Sequence, residues 1–278
     1  METKIRHRRL IVNADDFGKD AQTNAAVEKA HREGILTSAS LMVNEETTDD
    51  AVKIARANPE LAVGLHLTLL FDKPALSMDV IPDLIDPQTR RLRRTPVRSG
   101  FNYYFKRRIK SQLEAEISAQ INRYKSTGLR LDHLNGHLHF TQHPVVFNII
   151  LSNARSWGIT AMRLMREPLL LNLRIARGRL LARIAEAFTF ACLSKWCENK
   201  LKSSGIKYTD RVFGLLQNRN VDSDYLINLL ERLPAGVSEI YSHPSLDTFR
   251  HELSALLNPR AHKIICEREI KLITYQQI

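Results

Sequence analysis

The sequence predicts an α/β protein: a single-domain, irregular (β/α) barrel of the TIM type that carries one helical insertion. Apolar runs of strand length alternate with segments of helical composition along the whole chain. The 278 residues can bury one large core. No internal repeat or Gly/Ser-rich linker divides them, so we assign residues 1–278 to one domain. An open, doubly wound sheet is the alternative architecture.

The first three predicted strands are joined by two predicted helices. A strand at residues 10–12 precedes a helix at 24–33, and a second apolar run at 36–44 precedes a helix at 49–60. The third run, at 61–70, is rich in Leu and β-branched residues, which is typical of a strand covered on both faces. Consecutive strands with helices between them indicate a parallel sheet.

The middle of the chain continues this alternation after a Pro-, Asp- and Arg-rich connection at residues 72–100. A long helix is predicted at 111–126, and the apolar run at 128–140 follows it. Pro144 begins a helix that ends near Gly158. A fifth strand is predicted at 159–167.

A basic helical insertion is predicted at about residues 169–204. The remaining elements alternate again, as a helix at 223–234, a strand at 236–243, a helix at 251–258 and a strand at 269–275. The chain therefore contains six or seven βα-like units.

Charge and composition limit the functional classes. The net charge of +11 favours anionic partners, so phosphorylated substrates, nucleic acid and anionic membranes are all candidates.

Three cysteines without a CxxC pair are typical of a reducing compartment. The N-terminal apolar run is too short for a signal peptide, so we expect a cytoplasmic protein. No apolar run is long enough to span a bilayer, so any membrane contact would be peripheral.

Polar residues stand where the predicted strands end. Because the carboxyl ends of parallel strands lie on one face of a βα fold, we expect these side chains to converge on one pocket. They are Asp15, Asp16, Asn44, His66, Asn135, His137, Arg163 and His243. Taken singly, each has an ordinary explanation, because a histidine beside an apolar run is usually a hydrogen-bonded core residue and an aspartate often caps a helix.

Metal-activated hydrolysis is the chemistry that this set supports. Two imidazoles and one carboxylate form a common hydrolytic metal site, so we predict that Asp16, His66 and His137 hold one divalent ion, with zinc and magnesium as the first candidates. His139 and His143 are expected to orient the ligands. The chain lacks a P-loop, a dinucleotide glycine motif, a GxSxG elbow and an HExxH helix.

Five motifs occur in an order that identifies a family. They are LIVNADDFG at residues 10–18, GILTS at 34–38, GLHL at 64–67, HLNGH at 133–137 and SHP at 242–244. They extend over nearly the whole chain. The sequence resembles the YdjC-like (ChbG-type) carbohydrate deacetylases.

This resemblance implies an irregular TIM-like barrel that hydrolyses the N-acetyl group of an amino sugar. It also implies a divalent ion bound by Asp16, His66 and His137, with Asp15 as the general base. One departure is that the chain has Asn135-Gly136-His137 where many members have Asp-Ser-His. This departure removes a second carboxylate and keeps the ligand.

The Asn-Gly-His variant and its surroundings are most similar to the hopanoid-biosynthesis-associated branch of the family. This branch implies a lipid-linked acetylated amino sugar as substrate, and the basic insertion at 169–204 then becomes a candidate membrane-surface element. A helix that packs on its own domain with a solvated basic face is the more common alternative. The sequence leaves homo-oligomer formation open.

Asp15 and His243 are expected to transfer protons, and two arginines are expected to support them. Asp15 accepts a proton from the attacking water and His243 donates one to the departing amine. Arg163 and Arg166 hold Asp15 in its charged form or bind substrate oxygens. A surface salt bridge is the alternative for Arg166.

Two asparagines complete the predicted site. Asn44 and Asn135 are candidates for hydrogen bonds to the substrate, and a turn cap is the alternative for Asn44.

Two other functions compete with deacetylation. A polyanion-binding protein would explain the net charge and the basic clusters at residues 90–94 and 106–110, but it would not need the Asp/His set, and we expect no nucleic-acid partner. A glycoside hydrolase needs carboxylates about 5–9 Å apart on either side of the scissile bond, which the adjacent Asp15 and Asp16 do not provide.

Overall fold

The structure is a computed structural model that describes residues 7–278. Its centre is a parallel sheet with the strand order β4-β3-β2-β1-β6-β5, and β7 pairs with β1 beside this path. The strands are β1 (Arg8–Phe17), β2 (Ser38–Leu41), β3 (Ala62–Leu67), β4 (Leu134–Gly136), β5 (Arg211–Phe213), β6 (Gly236–Ser242) and β7 (Lys271–Leu272).

Helices connect most of the strands. Over residues 7–278 they are α1 (Ala21–Glu33), α2 (Thr48–Ala57), α3 (Pro96–Phe105), α4 (Arg107–Ser126), α5 (Pro144–Trp157), α6 (Leu169–Ile175), α7 (Leu180–Leu201), α8 (Ser223–Glu231), α9 (Arg250–Leu256) and α10 (Pro259–Glu267). Two 3-10 helices, His137–Gln142 and Tyr275–Gln277, complete the secondary structure of this part of the chain. None of the helices in it is long and apolar enough to cross a membrane.

The predicted α/β class is confirmed, because the strands are parallel and form a half-barrel surrounded by helices. Isolated parallel bridges extend the pairing beyond β4, from Leu134 to Met162 and from Ala161 to Lys207. Closure into a complete TIM-like barrel stays a prediction.

Several elements differ from their predicted positions. The fifth strand, predicted at 159–167, is reduced to the bridges at Ala161 and Met162. Farther along the segment, the backbone N–H of Met165 donates to the side chain of Gln142 and not to a neighbouring strand. The predicted connection at 72–100 overlaps α3, which begins at Pro96.

The segment predicted as a helical insertion, residues 169–204, contains α6 and α7. Gly178 and Arg179, both with positive φ, separate the two helices.

Strand β1 lies at the centre of the core. Leu10, Ile11 and Val12 are fully buried, which agrees with a strand covered on both faces. Its neighbours β2 and β6 pair with it in parallel, so the three strands end on the same side. The sheet therefore positions the polar residues that follow the apolar runs.

Candidate functional site

Three potential metal ligands meet at the carboxyl ends of β1, β3 and β4. Asp16, His66 and His137 each provide one ligand atom, and these atoms lie within 4.8 Å of one another. Asp16 Oδ1 is 3.3 Å from His66 Nε2 and 3.4 Å from His137 Nδ1. Both Asp16 Oδ1 and His66 Nε2 are buried without a hydrogen-bond partner. Because buried polar atoms are normally paired, this orphaned acceptor and imidazole fit a divalent cation.

An irregularity in β1 directs the two neighbouring aspartates to different partners. The register between β1 and β2 shifts between Ala14 and Phe17, and Asp16 has a φ of 64°. Aspartate tolerates this left-handed conformation better than most residues do. As a result, Asp16 reaches the two histidines and Lys19 Nζ, which is 2.9 Å from Asp16 Oδ2, while Asp15 points to the other side.

Asp15 is held by a dense set of donors. Arg163 donates to both of its carboxylate oxygens, and the side-chain amides of Asn13 and Asn135 donate to Oδ1. Burial opposes the negative charge, but the Arg163 guanidinium holds the pKa of Asp15 well below its usual range. Asp15 is therefore ionised and fixed in one orientation.

Asn135 connects Asp15 with a potential metal ligand. Its Oδ1 lies 2.8 Å from His66 Nδ1, and its Nδ2 donates to Asp15 and to Ser40 Oγ. Since Oδ1 can only accept, His66 Nδ1 carries a hydrogen and Nε2 is left to face Asp16. Asn135 is fully buried, so these contacts favour a positioning role, and the predicted contact with substrate stays a prediction.

The surroundings of His66 attract positive charge. Burial lowers the pKa of His66, and the carboxylates of Asp15 and Asp16 more than offset it, so that the pKa is raised. The same negative field favours a bound cation.

His243 lines the same cavity as Asp15 and His66, and this cavity has a volume of about 190 Å³. Its Nδ1 is 3.7 Å from Glu252 Oε2, and its backbone N–H donates to the same oxygen. Burial lowers the pKa of His243, but Glu252 and the two aspartates more than offset it and raise the pKa. His243 is thus suited to carry a proton.

The other predicted histidines have different surroundings. His139 Nε2 lies 3.0 Å from Tyr241 Oη, and burial together with Arg163 lowers the pKa of His139 to about 3. It is therefore neutral beside the cavity. His143 Nε2 instead lies 3.0 Å from the Gly100 carbonyl oxygen and outside the cavity lining.

Arg166 and Asn44 lie outside the cavity lining. Arg166 contacts Glu198 and the Asp210 carbonyl oxygen, and the amide of Asn44 donates to the Lys73 carbonyl oxygen. The contact with Glu198 favours the salt-bridge alternative for Arg166. Asn44 contacts Lys73, which is 29 residues away in the chain, so this contact is not a cap of its own turn. The substrate-binding roles of both residues stay predictions.

Sequence reasoning missed several residues of this region. Tyr241 and Glu239 belong to β6, where strand alternation places them on the same side as His243. Glu239 accepts from Arg163, and Tyr241 lies under the Arg163 guanidinium, 4.4 Å from ring centroid to Cζ. Polar residues at every second position of a buried strand are the signal that could have identified them.

Residues of α7 also line the cavity. Glu186 and Phe190 form part of its wall, together with Arg179 at the start of the helix. The side chains of α7 lacked a recognisable motif, so only the structure shows that this helix borders the site.

Comparison with known proteins identifies the family. Residues 9–267 match the sequence profile of the family described as YdjC-like protein. A carbohydrate deacetylase of Brevibacillus brevis is 36% identical over 181 residues, which cover 65% of this chain and 68% of that protein. A carbohydrate deacetylase of Geobacillus stearothermophilus is 27% identical over 283 residues, with 97% of this chain and 98% of that protein covered.

The fold is also found in a solved structure. A crystal structure from Enterococcus faecalis V583, described as that of a cellobiose-phosphate cleavage protein, superposes with a TM-score of 0.74 at 22% identity and covers 98% of both chains. At this identity the likeness concerns the fold alone. The profile match over most of the chain shows that this protein belongs to the YdjC-like family.

Proposed function

We propose that this protein is a carbohydrate deacetylase, a hydrolase that removes the N-acetyl group of an amino sugar with the help of one divalent ion. The observation that carries the proposal is the convergence of Asp16, His66 and His137 next to an aspartate that Arg163 keeps charged. The names of the curated relatives support the reaction class. Polyanion binding, the alternative, does not account for these buried side chains.

Asp16, His66 and His137 would hold the ion. When bound, it would polarise the acetyl carbonyl group and acidify a water molecule. Two imidazoles suit zinc, and magnesium with additional waters is the second candidate.

The residues around the ligands would move the protons. Asp15 would accept the proton of the attacking water, and its bonds to Arg163 and Asn135 would keep the carboxylate oriented for this transfer. His243 would donate a proton to the sugar nitrogen as the C–N bond breaks. The products are acetate and the free amino sugar.

The substrate would be an acetylated amino sugar joined to a lipid. The Asn135-Gly136-His137 sequence and its resemblance to the hopanoid-associated branch support a lipid-linked N-acetylglucosamine, with a soluble oligosaccharide as the alternative. Residues 169–204 would make peripheral membrane contact. The bridges at Ala161 and Met162 support closure of the sheet into a barrel.

The test is acetate release from N-acetylglucosamine-bearing substrates, soluble and lipid-linked, by metal-reconstituted protein. Asp15→Asn and His137→Ala should abolish release. Asp49→Asn and His262→Ala make the same chemical changes at exposed positions and should keep it. Equilibrium dialysis with Zn²⁺ should show one bound ion in wild type and loss of that site in His137→Ala. Failure of the folded, metal-loaded wild type to release acetate from either substrate class would disprove the reaction.

A further inference from the structure

Exposed apolar side chains are concentrated on one part of the described surface. With the exception of Val80, every large apolar side chain that is exposed within residues 7–278 lies on α3, α6, α7 or the turn at Leu138. Scattered exposed apolar residues are ordinary, but a contiguous group marks an interaction site.

Helix α3 presents four of these side chains. Its inner face is buried through Ser99 and Tyr103, and the Tyr103 hydroxyl donates to the Leu69 carbonyl oxygen. The outer face carries Val97, Phe101, Tyr104 and Phe105, of which Phe105 is 71% exposed. The helix is therefore anchored on one side and apolar on the side that faces solvent.

Helices α6 and α7 present five more. These are Leu170, Leu180, Leu181, Ile184 and Phe188. Farther along α7, Phe190 turns inward to line the catalytic cavity and lies 5.5 Å from the His139 ring. The same helix therefore borders the cavity and exposes apolar side chains.

The two groups flank the segment that carries His137. Tyr103 of α3 contacts Phe140, and Phe190 of α7 contacts His139, so both helices pack on the 3-10 helix His137–Gln142. Leu138 lies in this segment, lines the cavity and is itself partly exposed. We call these exposed side chains of α3, α6, α7 and Leu138 the apolar rim.

Basic residues predominate around the apolar rim. Residues 87–113 contain nine Lys or Arg and no Asp or Glu, and residues 168–185 contain four Arg. Of these four, Arg183 is buried and Arg179 pairs with Glu186, so most of the exposed positive charge lies beside α3. Both segments thus combine apolar and cationic side chains, a pattern that fits an anionic lipid surface.

We propose that the apolar rim docks this protein on an anionic lipid bilayer, with α3 as its principal contact and the mouth of the catalytic cavity beside the lipid. Aliphatic side chains such as Leu181 and Val97 gain from burial among acyl chains. Single-stranded nucleic acid would stack on the aromatic rings, but it would not use the exposed aliphatic side chains of Leu170, Leu181 and Ile184. The principal contact is α3, which lies outside residues 169–204. Docking on lipid does not depend on whether the protein is a deacetylase.

The test is flotation of the full-length protein with vesicles of phosphatidylcholine, with and without phosphatidylglycerol. We expect binding to the anionic vesicles that weakens with salt. The double variants Phe101→Ser/Phe105→Ser and Leu181→Ser/Phe188→Ser should each lower the partition coefficient at least about tenfold, with the larger loss for the α3 pair. Val80→Ser removes an exposed apolar side chain outside the apolar rim and should change nothing.

Three results would overturn the proposal. The first is no binding to anionic vesicles, and the second is binding that both double variants retain. The third is a wild-type dimer in light scattering that Phe101→Ser/Phe105→Ser dissociates, which would assign the apolar rim to a second copy of this chain. Circular dichroism checks that the variants are folded, and vesicle binding is read without turnover, so failure of the deacetylase assay would be a separate result.

Discussion

Arg163 donates two hydrogen bonds to Asp15, one from Nη1 to Oδ2 at 2.7 Å and one from Nη2 to Oδ1 at 2.9 Å. Its Nε and Nη2 also donate to Glu239 Oε1, and the Tyr275 hydroxyl donates to the other oxygen of Glu239. One buried cation thus compensates two buried carboxylates. Because both oxygens of Asp15 accept from the Arg163 guanidinium, this arrangement keeps Asp15 ionised.

Replacing Arg163 with Met should lower the free energy of unfolding by about 3–5 kcal/mol at pH 7, because two buried carboxylates lose their cation. The depressed pKa of Asp15 contributes stability at neutral pH that is lost as the pH falls, so the deficit of the variant should shrink in acid. Urea unfolding at pH 7 and at pH 3, which is below the ordinary pKa of an aspartate, measures both effects.

Arg166→Met is the matched control for this experiment. Its side chain is 36% exposed and pairs with Glu198, so the loss should stay below about 1 kcal/mol. Equal losses in the two variants would contradict the interpretation of the buried pair.

Replacing Asn135 with Ala should weaken metal binding about 10- to 100-fold, because His66 loses the acceptor that orients its ring. Equilibrium dialysis with Zn²⁺ measures the affinity. Asn44→Ala removes an amide outside the cavity lining and should bind the ion as wild type does. Unchanged affinity in a folded Asn135→Ala protein would show that the Asn135–His66 contact has no positioning role.

Glu167 should make stability depend on pH. It accepts from the Leu216 backbone N–H, Asn172 and Tyr225, yet burial raises its pKa to about 7. The folded protein therefore keeps this proton to a higher pH than the unfolded chain does. The resulting stability is fully present near pH 4.5 and is lost as the pH rises through about 7, by up to about 3 kcal/mol.

Chemical denaturation between pH 5 and pH 8 tests the role of Glu167. The decline should be absent in Glu167→Gln and retained in Glu114→Gln, an exposed position on α4. A decline of the same size in all three proteins would assign it to another group.

Gly64→Ala should lower stability by at least about 2 kcal/mol, because the added methyl group has no room. A Cβ on Gly64 would lie 2.4 Å from His133 Cε1 and 2.6 Å from the His133 carbonyl oxygen. Gly205→Ala is the comparison, since Gly205 has a φ of +76° and nothing within 4 Å, so that only backbone strain of about 1 kcal/mol applies. Thermal unfolding of both variants should rank them in this order, and the reverse order would contradict it.

Regular elements were predictable where the pattern was local. The apolar run before Asp15 became β1, and Pro144 begins α5 as expected, because a proline suits the first turn of a helix. The strand expected at 159–167 and the helix α3 were not predictable in this way. Both involve contacts between residues distant in the chain, such as that of Met165 with Gln142 and that of Tyr103 with Phe140.

The α/β class and the set of polar residues that could meet follow from the sequence alone, since parallel strands end on one face whatever surrounds them. The grouping of Asp16, His66 and His137 is a consequence of this topology. Arg163 and Arg166 were both candidate partners of Asp15 in the sequence. Packing of the folded chain brings Arg163, 148 residues away in the chain, to Asp15, while Arg166 contacts Glu198 instead. The tertiary structure also shows that the outer face of α3 stays exposed. A sequence pattern can show that one face of a helix is apolar, but only the packing shows whether another element covers that face.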